Sequence, residues 1–111
     1  MSNTERLFPK IRLVIGTMDG CPWCTKLKTE TMPMIKAMGI RYQIITDDDH
    51  LDAYNAFDYG LPYIGICDEK GYPLEQHGGF VTISELLEMV NDAHDKHFPN
   101  VDKNTQNILV E

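Results

Sequence analysis

The chain has 111 residues, enough to bury a core in one domain without crosslinks, so its cysteines are not needed to make it fold. Ten basic residues against seventeen acidic ones leave a formal charge of −7, with no lysine or arginine cluster, which argues against a nucleic-acid partner. No apolar run approaches the roughly 18 residues that span a bilayer, "MSNTERLFPKIRLVIG" lacks a signal-peptide core, and three cysteines do not make a secreted disulfide framework; a cytoplasmic monomer without a membrane partner is expected.

"IRLVI", Ile11 to Ile15, is short, apolar and β-branched, and reads as a buried strand ending in the turn-rich "GTMDG". A helix follows from Pro22, a residue tolerated in the first turn, to the stop at Gly39, with Cys24, Leu27, Met34, Ile35 and Met38 on its inner face. Pro33 removes a backbone bond inside this helix, so a bend is expected between Thr29 and Pro33. "IRYQIIT", Ile40 to Thr46, gives a second strand. "DDDHLDAYNAFDYG" gives an acid-started helix ended by Gly60, with Leu51, Tyr54 and either Ala53 or Phe57 inward.

Pro62 opens "YIGIC", Tyr63 to Cys67, and the turn "DEKGYP" leads into a short strand from Leu74 to His77, an antiparallel hairpin. After Gly78 and Gly79, Thr82 with Glu85 three residues on forms a capping box, and Ile83, Leu86, Leu87 and Val90 make one apolar stripe. The order is β-α-β-α-β-β-α, a four-stranded mixed sheet flanked by three helices. Residues 1–98 form the domain and 99–111 a loosely held tail.

"GCPWCT", Gly20 to Thr25, carries the chemistry. Residues three apart on a helix lie on one face with β-carbons about 5–6 Å apart, close enough for a disulfide to open and close with little backbone movement. At a helix N-terminus Cys21 also meets unsatisfied N–H groups and the positive end of the helix dipole, both of which favour a thiolate. Lys26 and Lys28 are further positive charges that could help, although they point down the helix. Cys21, at the tip, is therefore read as the attacking nucleophile and Cys24, one turn further in, as the resolving thiol.

Two blander readings stand beside this one. Zinc would need two more ligands, and the only pairing in view, His94 with His97, is tighter than usual and is better explained by packing or an exposed helix end. A structural disulfide closing so small a loop would restrict little unfolded-state entropy. Cys67 ends an apolar run and reads as a buried, inert thiol. Tyr63 and Phe80 belong either to the core or to a groove around the dithiol.

"GCPWC", "GLPYI" and "HGGFVT", set in this order of strands and helices, resemble the thioredoxin superfamily and in particular glutaredoxins, whose sites read CPYC, TVPxI and GG-aromatic-x-D. The resemblance spans about residues 11 to 96 and implies the thioredoxin-like α/β fold. It further implies a cis Leu61–Pro62 bond beside the dithiol, with the Leu61 backbone pairing with the substrate. Gly78 and Gly79 would admit a bound peptide or glutathione, and Trp23 would stand for the family's tyrosine.

Two family contacts to glutathione are missing. Met18 and Asp19 occupy the place of a basic residue, and Thr82 replaces the aspartate. Ile15 stands where thioredoxins bury an acid. The resemblance implies a dithiol–disulfide oxidoreductase with no resident cofactor, acting on protein disulfides, with ribonucleotide reductase a candidate partner. Its reductant would be glutathione or thioredoxin reductase, and an iron–sulfur or metal-binding module is the alternative.

Overall fold

The computed structural model describes residues 7–103. Strand β1, Arg12–Gly16, lies inside a sheet of order β2-β1-β3-β4, parallel to β2 (Tyr42–Ile45) and antiparallel to β3 (Tyr63–Cys67), which pairs antiparallel with the edge strand β4 (Pro73–Gly78). Helices α1 (Pro22–Lys26) and α2 (Met32–Ala37) follow β1, α3 (Asp48–Ala53) and α4 (Ala56–Tyr59) follow β2, and α5 (Ile83–His97) follows β4. This is the mixed sheet and helix order expected from the sequence.

Because side chains alternate along a strand, β1 and β3 feed two cores. Leu13, Ile15, Ile64 and Ile66 join Leu27, Ile35, Leu86 and Val90 on one face, whereas Val14, Tyr63 and Cys67 join Ile45, Leu51 and Ala56 on the other. Coverage on both faces explains why "LVI" and "YIGIC" are continuously apolar rather than alternating. Both motif-bearing loops spring from these two central strands. α5 starts with the expected box: Thr82 Oγ1 accepts from the Glu85 amide at 3.2 Å, and Glu85 Oε1 accepts from the Thr82 amide at 2.9 Å.

The first two helices depart from simple periodicity. Between α1 and α2 the chain forms a π-helix, Leu27–Thr31, in which the Met32 amide bonds to the Leu27 carbonyl. Pro33 cannot donate in the helix ladder, and the wider turn absorbs the misfit at the expected bend. The extra residue also rotates the inner face, so Met32 is buried while Met34, expected inside, is exposed. The helix after β2 is broken at Asn55, which adopts φ 59° and separates α3 from α4. Asparagine tolerates this left-handed conformation, and the break turns Ala56 inward while Ala53 and Phe57 stay exposed.

Residues 99–103, assigned by the sequence to the tail, are tied to the body. The Phe8 amide donates to the Lys103 carbonyl at 2.6 Å, and Lys103 Nζ meets Asp95 at 2.8 Å. The remainder of that segment, with the apolar residues 108–110, lies outside the described residues.

His94 lies beneath this clasp, 1 % exposed, between the rings of Phe8 and Phe98 at 5.6 and 5.9 Å, and neither ring nitrogen has a hydrogen-bond partner. Burial first, and then the Lys103 charge, hold its pKa below the ordinary histidine value, against a smaller opposing effect of Asp95. The folded state thus favours neutral His94. Its contribution to stability is complete above the unfolded value near 6.5 and is lost as pH falls below it, because the unfolded chain takes up the proton first. Thermal melts from pH 7.5 to 5 should show a steeper loss of stability in the wild type than in His94→Phe.

Candidate functional site

β1 delivers the chain through Thr17 to Gly20 into α1, and Cys21 becomes the N-cap of that helix. Its Sγ accepts a hydrogen bond from the Cys24 amide at 3.2 Å, and its carbonyl accepts from the Thr25 amide at 3.1 Å. Pro22 fits the first turn because an amide hydrogen there would have no helical partner. Cys21 and Cys24 are joined as a disulfide with α-carbons 5.2 Å apart. Cys21 is half-buried, Cys24 is 1 % exposed, and Trp23 between them is 56 % exposed. A partner can therefore reach the first sulfur but not the second.

The Leu61–Pro62 peptide is cis, with Pro62 buried and Leu61 half-buried. Leu61 joins Trp23, Gly79 and Phe80 in lining a groove of about 360 Å³. Gly79 enters it from a bend with φ 107°, a conformation that side chains disfavour, and its amide donates to the Pro62 carbonyl at 2.8 Å. The space above Gly79 is open. Gly78 is also required by the fold: a β-carbon there would overlap the Tyr59 carbonyl, so its bareness admits the end of α4.

Thr82, the third element of the motif, is exposed, but its oxygen is engaged in capping α5. Met18 and Asp19 are both exposed on the loop before Cys21, which offers no basic side chain there.

Phe80 and Tyr63 separate into groove and core. Phe80 packs against Trp23, ring centroids 5.9 Å apart. Tyr63 is fully buried on the far side of the sheet, where Gln76 donates to its hydroxyl at 2.7 Å, and burial pushes its pKa up to about 12. Cys67 is fully buried beside it, and burial, reinforced by Asp68, pushes its thiol up to about 12, which keeps it protonated and unreactive.

The histidines do not assemble with the cysteines. His94 lies between Phe8 and Phe98, and His97 Nε2 meets Glu75 at 3.2 Å. Among the described residues no group of three or more His, Cys, Asp or Glu side chains converges.

Two contributors escape a reading by motif. Lys26 does not point away down the helix: its ammonium lies 5.4 Å from the Trp23 ring centroid and 4.9 Å from that of Phe80. The i, i+3 spacing from Trp23 is the one sequence signal for this placement. Thr31, buried in the π-turn, donates to the Val81 carbonyl at 2.8 Å and so anchors the segment that carries Phe80. Nothing local marks Thr31, because its partner lies fifty residues away.

No protein-family model and no curated protein sequence matches the chain. Solved structures do. Thioredoxin-2, described as a component of the malaria parasite protein secretion machinery, superposes with a TM-score of 0.59 at 18% identity over 75% of this chain and 82% of its own. A thioredoxin-like protein from Clostridium perfringens gives 0.58 at 18% identity over 81% and 77%. The C-terminal domain of Neisseria meningitidis DsbD, in its reduced form, gives 0.55 at 17% identity over 78% and 83%. At these identities the likeness is one of fold. No helix among the described residues is long and apolar enough to cross a membrane.

The packing above Gly78 gives a direct test. Gly78→Ala should lower stability in urea denaturation by about 1–3 kcal/mol, the usual range for forcing extra volume into a packed site, because its neighbour is backbone and not a flexible side chain.

The chain thus has the thioredoxin-like fold, with a cysteine pair on the helix after β1 and a cis-proline before β3.

Proposed function

We propose that the chain is a dithiol–disulfide oxidoreductase that reduces protein disulfides. The observation that carries this reading is the unequal seating of the joined pair: Cys21 is accessible at a helix start with an amide directed at its sulfur, while Cys24 is buried one turn behind. A purely structural crosslink has no need of that asymmetry. In the reduced protein, the Cys21 thiolate attacks one sulfur of the substrate disulfide, forming a mixed disulfide and expelling the other sulfur as a thiolate that takes a proton from solvent. Cys24, deprotonated, then attacks Cys21 Sγ, closes the intramolecular disulfide and releases the second substrate thiol. The substrate gains two electrons and two protons, and the dithiol loses them.

The Leu61 backbone, next to the cis-proline, is the natural strand-like partner for the substrate segment, with Trp23, Phe80 and Gly79 around it. Within the superfamily we favour a glutaredoxin-like protein recharged by glutathione, on the strength of "CPWC" and the open backbone at Gly79. Ribonucleotide reductase is one protein disulfide it could serve, and the cytoplasm is the compartment in which it would do so. A second reading has specific support: Thr82 is occupied by its cap and Asp19 stands where glutathione would meet a base, which favours recharging by thioredoxin reductase. Turnover with glutathione and its reductase, compared with turnover on thioredoxin reductase, separates the two. The iron–sulfur alternative predicts visible absorption after anaerobic purification, and a colourless protein counts against it.

Cys24→Ser should accumulate a mixed disulfide with substrate, visible as a mass increase that dithiothreitol reverses. Cys21→Ser should reduce insulin no faster than the buffer does. A Cys21→Ser protein retaining the wild-type rate would sink the proposal.

A further inference from the structure

We infer that Lys26 selects substrates for this dithiol, favouring disulfides whose attacked cysteine has a carboxylate beside it. The inference rests on the thiol–disulfide reading above and adds the chemical character of the preferred partner.

Lys26 is the last residue of α1, one turn beyond Trp23 and on the same face. Its ammonium lies against both aromatic walls of the groove, at 5.4 Å from the Trp23 centroid and 4.9 Å from that of Phe80. The electron-rich ring faces attract a cation without neutralising it. Lys10, Lys96 and Lys103 each have a carboxylate within 3.5 Å, whereas Lys26 makes no ion pair among the described residues. It is also half-buried, unlike its helix neighbours Lys28 and Lys36, which are exposed.

The groove itself is lined by Trp23, Leu61, Gly79 and Phe80, with no charged side chain among them. A segment laid along it passes the Lys26 ammonium held on the two aromatic walls, while the acidic Asp19 stands on the loop before Cys21, at the dithiol end. The chain as a whole carries −7, so its long-range field favours basic partners. The local and the overall preferences have opposite signs. Salt weakens the second faster, because a contact pair at a rim is less screened than charges more than about 8 Å apart at 0.15 M ionic strength.

The test uses the full chain, reduced beforehand and freed of reductant, in single turnover against three disulfide-linked peptides. They are identical except for Glu, Gln or Lys next to the cysteine. Trp23, the sole tryptophan, reports closure of the disulfide by its fluorescence. At 0.15 M salt the Glu peptide should react about two- to fivefold faster than the Gln peptide, the upper part of the range for an exposed ion pair, and the Lys peptide should gain nothing over Gln. Lys26→Arg should keep the Glu preference, and Lys26→Met should bring the ratio close to one.

Equal rates for Glu and Gln in the wild type, or an undiminished ratio in Lys26→Met, would overturn the inference. So would a uniform slowing on all three peptides, which would make Lys26 a packing residue for the groove wall. Reduction of the peptides by Cys21→Ser at the wild-type rate would instead refute the thiol–disulfide reading itself.

Discussion

The hydroxyl of Thr31, buried in the π-turn, donates to the Val81 carbonyl at 2.8 Å, and the arrangement of the site depends on this bond. It ties the helix that begins at the dithiol to the segment that carries Gly79, Phe80 and Thr82. An unmet buried partner here would cost about 1–3 kcal/mol, so the two pieces of chain are held in register rather than merely near one another. Two further ties complete the frame: the Gly79 amide reaches back to the Pro62 carbonyl at 2.8 Å, and Thr82 caps α5. Pro33 is part of the same arrangement, since the wide turn that absorbs it contains Thr31.

The sheet divides the chemistry from a second set of reactive side chains. On the α1 and α5 face, Leu27, Ile35, Leu86 and Val90 pack on β1 and β3 and support the helix behind Cys24. On the opposite face Cys67 and Tyr63 are sealed among Val14, Ile45, Leu51 and Ala56, and both are pushed up to about 12. Gln76 anchors that side by donating both to the Tyr63 hydroxyl and to the Tyr54 carbonyl. A third thiol is therefore present but silent at neutral pH. Exchange is confined to the pair whose first sulfur reaches solvent.

Features written in adjacent residues were legible before the structure. "IRLVI" and "YIGIC" mark central strands because both faces are covered, the Thr82 and Glu85 spacing marks a capping box, and Pro22 between the cysteines marks a helix start. The remainder depends on partners far along the chain. Met34 and Met32 exchange places because a π-turn shifts the helical phase, which no count at 3.6 residues per turn anticipates. The need for glycine at position 78 comes from Tyr59, packed against it from nineteen residues earlier. Lys26 looks like a surface lysine until β4 brings Phe80 to the other side of its ammonium. Tyr63 has a hydrophobic strand position and a polar tip; packing on the far face of the sheet makes it core, and Gln76 on the neighbouring strand satisfies its hydroxyl.

What unites the account is inequality between two sulfurs that are neighbours in sequence. Cys21 has a path to solvent and an amide directed at it; Cys24 has neither the exposure nor the cap position. The most direct measurement of that inequality is limited alkylation of the fully reduced protein at pH 7 with one equivalent of iodoacetamide, followed by peptide mass mapping. The account predicts a single adduct on Cys21, with Cys24 and Cys67 unmodified in the folded protein. Label shared equally between Cys21 and Cys24, or found first on Cys24 or Cys67, would contradict it.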